Sequence, residues 1–137
     1  MRSDTCHILV IDDDTNTRVL LRLLLEQHGY HVSLAPDGEV GLALAETEQP
    51  DLILLDVAMP RRDGMDVYLD LRNDARIAEI PVLILSASLS HRDVQTWLGM
   101  PNVADALMKP FNISALLGRI EAICASHTVQ VGAELTT

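Results

Sequence analysis

A chain of 137 residues with 48% hydrophobic and 22% charged side chains has the size of one domain and the apolar content for a core, which excludes intrinsic disorder and collagen-like repeats. Ten basic against twenty acidic residues leave a net charge of −10, unsuited to nonspecific nucleic-acid binding, which needs clustered Lys and Arg. No apolar run approaches the roughly 18–20 residues of a membrane helix.

The N-terminal stretch Met1 to His7 lacks a long apolar run ending in small residues, so no secretory signal is seen. Cys6 and Cys124 are too few and too far apart in sequence for a disulfide framework or a zinc ribbon. A reducing cytoplasm is the default expectation. Only Phe111, Trp97, Tyr30 and Tyr68 are aromatic, so platforms for stacking bases are scarce.

Ile8-Leu9-Val10-Ile11 reads as a buried strand. After the acids Asp12, Asp13 and Asp14, either Asp14 or Thr15 can cap a helix running to about Gln27, with Gly29 beyond its end. Val19, Leu20, Leu23 and Leu24 fit an apolar stripe on it. His31 to Ala35 alternates and reads as an edge strand. Asp37 can cap a second helix to about Thr47, closed before Pro50. Leu52-Ile53-Leu54-Leu55 is a third strand, and Met65 to Asn73 a third helix. Val82-Leu83-Ile84-Leu85 is a fourth strand, and Ser90 can cap a helix ending at Gly99 and Pro101. Ala104 to Met108 is a weaker fifth strand. Asn112 can cap a last helix, Ile113 to about Ala125. Residues after Ser126 show no pattern and are expected to form a flexible tail or linker stub, so the domain is expected over residues 6–125.

Strands and helices thus alternate strictly. Continuous apolar runs suit strands covered on both faces, and the alternation means a single doubly wound α/β domain with a parallel sheet. Ligands of such sheets bind beyond the carboxyl ends of the strands. There the sequence places Asp12 and Asp13 after the first strand, Asp56 after the third, Ser86 after the fourth and Lys109 after the fifth. Two carboxylates ~4 Å apart repel by roughly 4 kcal/mol at an effective dielectric of 20, so three in one cleft call for a cation or shared protons. Mg2+ suits one or two carboxylates, waters and a phosphate. Lys109 offers a point charge for phosphate and Ser86 a hydroxyl donor. The set fits phosphoryl transfer, in which a carboxylate can itself be the nucleophile.

The pieces Ile8-Leu9-Val10-Ile11-Asp12-Asp13-Asp14, Asp51 through Pro60, Asp63-Gly64, Pro81 through Ala87 and Lys109-Pro110-Phe111 together resemble the receiver domain of the two-component response regulator family. The resemblance covers roughly residues 6–125. It implies a flavodoxin-like sheet of strand order 2-1-3-4-5. Asp56 is then the phosphoacceptor, served by a histidine kinase or a histidine phosphotransfer protein. Asp13 holds Mg2+ directly, Asp12 mainly through water, with Asp56 and the backbone carbonyl of Ala58 completing the protein ligands. Ser86 bonds the phosphoryl oxygen, Lys109 pairs with it, and a cis bond before Pro110 aims Lys109. A cytoplasmic signalling domain rather than an enzyme is implied, with an unnamed downstream protein target, no direct nucleic-acid or membrane binding, and a monomer or a phosphorylation-dependent dimer.

Three positions depart from the family pattern. Ala106 stands where an aromatic or His is usual on the fifth strand, which removes the family's usual coupling route. Asn102 replaces a glycine, and Pro101 stiffens that turn. Ala58 and Ser88 are both small, which implies open water access and a short-lived phosphoryl form. Competing functions are weaker. A haloacid-dehalogenase-like phosphotransferase needs an acid where Ala58 stands, and a flavin or dinucleotide carrier needs a Gly-rich loop where Asp12 to Asp14 stand. The remaining alternatives are a receiver-like interaction module with degenerate switching that is never phosphorylated, and an N-terminal receiver excised from a larger regulator. Trp97 is expected in the core beside Val94 and Leu98, Arg61 and Arg62 in solvent, and the five histidines show no metal-ligand spacing.

Overall fold

The apolar runs become strands because both of their faces are covered, so successive side chains in each run find a core on opposite sides. The structure, a computed structural model, describes residues 5–57, 64–87 and 89–136, with side chains described through Ala125. Its elements in chain order are β1 (His7–Ile11), α1 (Thr15–Gln27), β2 (His31–Ala35), α2 (Gly38–Glu48), β3 (Leu52–Asp56), α3 (Gly64–Asn73), β4 (Val82–Ser86), α4 (His91–Leu98), β5 (Val103–Met108) and α5 (Ile113–Thr136). The sheet order is β2-β1-β3-β4-β5 and all pairs are parallel, as the sequence implied.

Two cores flank the sheet. Leu9, Ile11, Ile53, Leu55, Val82 and Ile84 pack with Ala45 of α2, Val67, Tyr68 and Leu71 of α3, and Trp97 of α4. The alternate residues Ile8, Val10, Leu52, Leu54, Leu83 and Leu85 pack with Leu21 and Leu25 of α1 and Leu116 and Ile120 of α5. Each fully buried Leu, Ile or Val contributes about 1.5–3 kcal/mol of transfer free energy, and all residues of β3 and β4 are buried. Trp97 lies in the core as expected, with Val94 packed against that core but Leu98 exposed, and its ring is edge-on to Tyr68 with centroids 5.5 Å apart. The Tyr68 hydroxyl donates to the Pro101 carbonyl at 2.6 Å, and Asn102 takes a left-handed φ of 60° that asparagine tolerates.

Side chains close the helix starts where the sequence placed caps. Asp14 accepts from the Asn16 N–H at 3.3 Å, Asp37 from Val40 at 2.9 Å, and Asn112 from Ala115 at 3.0 Å. At α4 the Ser90 hydroxyl accepts from the Asp93 N–H at 3.0 Å, while the Asp93 carboxylate accepts from the Ser90 N–H at 2.9 Å.

Three expectations are corrected. On α1 the buried residues are Leu21 and Leu25, whereas Val19, Leu20 and Leu23 are exposed. The apolar run from Val19 to Leu25 spans nearly two turns, so its period leaves the buried side open, and the packing partner decides it. Helix α5 does not stop near Ala125 but continues to Thr136. Residues 126–136 contain no proline and one glycine, so no strong breaker interrupts it, although Thr128, Val129 and Val131 blur the helical period. Finally, Cys6 and Cys124 are joined by a disulfide across a sequence separation of 118. Distance along the chain is no bar to a bond, because α5 packs back across the sheet and brings its middle to the start of β1.

Candidate functional site

Parallel register brings residues from distant parts of the chain to one edge. Ile11 pairs with Leu55, so Asp12 and Asp56 follow at the same level. Asp56 pairs with Leu85, and Ser86 pairs with Met108, which sets Ser86 beyond Leu85 and Lys109 beyond Met108 on the same side. Among the described residues, the buried polar side chains are Asp12, Asp56 and Ser86. A buried carboxylate is costly unless something compensates it, so two at one edge mark this end of the sheet.

Lys109 supplies part of that compensation. Its Nζ donates to Asp12 Oδ2 at 2.6 Å and lies 3.5 Å from Asp56 Oδ2. The other oxygen of Asp12 accepts from the Asp14 N–H at 2.9 Å. Burial acts to lower the Lys109 pKa, but the hydrogen bond and charge of Asp12, with Asp56 behind it, outweigh burial and hold the ammonium above its ordinary value. Asp13 is exposed, yet carboxylate oxygens of Asp12, Asp13 and Asp56 all lie within 4.8 Å of one another. Three carboxylates against one ammonium leave a surplus of negative charge, and hard oxygen donors at this spacing fit a divalent cation such as Mg2+. The Lys109–Pro110 bond is cis, and the Lys109 N–H donates to the Ser86 carbonyl at 2.8 Å.

The structure therefore brings together five of the six residues singled out in the sequence: Asp12, Asp13, Asp56, Ser86 and Lys109. Ala58, the sixth, lies outside the described residues, as do Pro60, Arg61, Arg62, Asp63 and Ser88. Gly64 starts α3 directly against the site. A Cβ there would meet Val57 Cα at 2.2 Å and Val57 Cβ at 2.3 Å, so only glycine lets the helix approach the residue after Asp56.

Two features escaped the sequence reading. Arg18 reaches back from α1 and donates through Nη1 to the Asp12 carbonyl at 2.7 Å, bracing the acidic loop. Next to Lys109, a cavity of about 380 Å3 is lined by Thr17, Leu20, Ala87, Lys109, Pro110, Phe111 and Ile113. The only sequence signal for it is Leu20, an apolar residue on the side of α1 that the core leaves exposed.

Ala106 is buried in the same core as Tyr68, Leu89 and Trp97. The position of the missing aromatic is thus filled around a small side chain, not opened to solvent.

The model of the response regulator receiver domain matches residues 8–121. The DNA-binding dual master transcriptional regulator RpaA of Synechocystis sp. is 45% identical over 118 residues, 85% of this chain and 48% of RpaA. Protein PilH of Pseudomonas aeruginosa is 36% identical over 118 residues, 86% of this chain and 97% of PilH. The chain spans about half the length of RpaA and of several other curated relatives that it matches. Among solved structures, the receiver domain of the Francisella response regulator 1452 superposes with a TM-score of 0.81 at 31% identity, covering 90% of this chain and 99% of that one. Sheet order, the clustered acids and these matches agree, and the chain belongs to the response regulator receiver domain family.

Proposed function

We propose that Asp56 is the residue that takes the phosphoryl group in this response regulator receiver, from a phosphohistidine of a histidine kinase or a histidine phosphotransfer protein. The observation that carries this reading is the position of Lys109 Nζ, 3.5 Å from Asp56 Oδ2 and 2.6 Å from Asp12 Oδ2, inside a cluster of three carboxylates. Asp12, Asp13 and Asp56, with the Ala58 carbonyl, are the residues that would hold Mg2+, which when bound neutralises charge on the phosphoryl oxygens.

The chain's own groups do the rest. Asp56 is 5% exposed, so few waters compete with it, and its ionised oxygen attacks phosphorus as the phosphorus–nitrogen bond of the donor breaks. The Lys109 ammonium is already charged and already aimed, so it meets developing negative charge without reorganising. Ser86, 1% exposed at the end of β4, offers its hydroxyl to a phosphoryl oxygen. Negative charge added to Asp56 competes with Asp12 for Lys109, and that competition is the local event that biases one conformation over another. Output is altered binding of a downstream protein. The location is cytoplasmic, where such donors act, and among the described residues no helix is long and apolar enough to cross a membrane.

Incubation with acetyl phosphate and Mg2+, followed by intact mass measurement, tests this. One phosphate adduct is expected, absent in Asp56→Asn and absent without the metal. An unmodified wild-type protein would instead favour an interaction module that is never phosphorylated, and an adduct that persists in Asp56→Asn would reassign the acceptor.

A further inference from the structure

The far end of the sheet from Asp56 holds a second chemical feature. Cys6 immediately precedes β1, and Cys124 sits on α5 at the end of the stripe Leu116, Ile120, Cys124 that faces the sheet. Each cysteine is 7% exposed, and their Cα atoms are 6.0 Å apart, inside the range of about 4.4–6.8 Å that a disulfide spans. No other cysteine is present in the chain, so no alternative pairing competes. Ala125, next along α5, is exposed, and the helix then continues to Thr136. The bond therefore ties the middle of α5 to the start of β1.

The fold does not depend on this fastening. Two apolar cores cover both faces of the sheet, and a domain of this size rarely needs a covalent staple. Reduced cysteines would pack in the same place as small hydrophobes. Both redox forms thus have a packed native state, and they differ in how firmly α5 is held at and beyond Cys124. We infer that Cys6 and Cys124 are a reversible dithiol–disulfide pair that clamps and releases the C-terminal part of α5, giving this receiver a redox input separate from phosphorylation.

The oxidant is a disulfide, either small like oxidised glutathione or on another protein. A thiolate of the pair attacks one of its sulfurs and releases one thiol. The second thiolate of the pair then attacks the resulting mixed disulfide and releases the other thiol. In sum, two protein thiols and one disulfide give the protein disulfide and two thiols, with two electrons passed to the oxidant and the protons retained on the released thiols. Because both sulfurs are buried, exchange requires α5 to lift at Cys124, so the same motion that the bond controls also admits the reagent.

The test uses the full chain equilibrated in buffers of reduced and oxidised glutathione at graded ratios, then quenched with N-ethylmaleimide and weighed intact. The clamp requires interconversion in both directions under native conditions: two adducts on the reducing side and none on the oxidising side. Hydrogen exchange on the two forms should show amides of residues 118–136 exchanging about tenfold or more faster in the dithiol form, with the strands unchanged. The melting midpoint of that form should fall by roughly 10–20 °C, from loss of so long a covalent loop. Cys124→Ala, with one thiol left to alkylate, should match the dithiol form in exchange and melting in either buffer. Two adducts at every ratio, a bond that yields only on unfolding, or equal exchange of α5 in both forms would each overturn the inference. None of these readouts involves phosphate, so they stand or fall independently of the role assigned to Asp56.

Discussion

Replacing Lys109 by methionine removes one charge and keeps an apolar stem of similar length. At 2.6 Å from Asp12 and 3.5 Å from Asp56, the ammonium contributes gross attractions of about 6 and about 5 kcal/mol at an effective dielectric of 20. Drawing that ammonium out of water costs several kcal/mol in return. The variant keeps the two buried carboxylates and loses their shared cation, a change that costs about 3–5 kcal/mol when a buried pair is broken. Lys109 retains 17% side-chain exposure, so screening points to the lower end, about 3 kcal/mol. Urea unfolding at pH 7 in EDTA, both proteins in the same redox state, reads this as a midpoint lowered by about 1.5 M for a slope of about 2 kcal/mol/M. Added Mg2+ should then stabilise Lys109→Met more than the parent, because the cation enters a more negative cluster. A loss below about 1 kcal/mol, or equal gains from Mg2+ in both proteins, would refute the charge balance described for this site.

Other substitutions separate the parts of the molecule. Asp13→Asn should abolish both stabilisation by Mg2+ and labelling by acetyl phosphate, yet leave metal-free unfolding unchanged or shifted upward by about 1 kcal/mol, since it relieves like-charge repulsion; a lower metal-free stability would contradict this. Gly64→Ala drives a methyl group into Val57 and should cost about 1–3 kcal/mol by overpacking, with slower phosphorylation, whereas an unaffected labelling rate would detach Gly64 from the site. Burial and the neighbouring His31 depress the His7 pKa, against the pull of Glu48 and Asp51. The unfolded chain therefore binds the proton first, so His7 removes stability as pH falls through about 6.5 and removes none well above it. Thermal unfolding from pH 8 to pH 5 should be less pH-dependent in His7→Gln, and an unchanged profile would count against this. Ser90→Ala removes one half of the α4 capping box and should cost about 1 kcal/mol, measured by urea unfolding.

Where the sequence was readable, one physical cause acted locally. Leu52 to Leu55 had to be a strand covered on both sides, because alternate residues of a strand face opposite ways and all four are apolar. Asp37, Ser90 and Asn112 announced helix starts because a short side chain there bonds the free N–H groups two or three residues on. Asp12, Asp13, Asp56, Ser86 and Lys109 were legible by the same logic one level up: polar groups directly after apolar strands must meet at one edge of a parallel sheet. The side of α1 that is buried was not legible, since Val19 to Leu25 offers apolar residues in several directions and only the shape of the β1 and β2 surface selects Leu21 and Leu25. Arg18 carries no local signal of its role, because its bond to the Asp12 carbonyl depends on where the helix axis lies.

Residue order by itself determined the parallel sheet, its order of strands once the family resemblance was drawn, and which end carries the chemistry, because periodicity and strand–helix alternation act over a few residues at a time. Tertiary structure alone decided the Lys109–Asp12–Asp56 distances, the outward face of α1 and the meeting of Cys6 with Cys124. Those depend on the summed crossing angles of every element between them, and no local pattern encodes that sum.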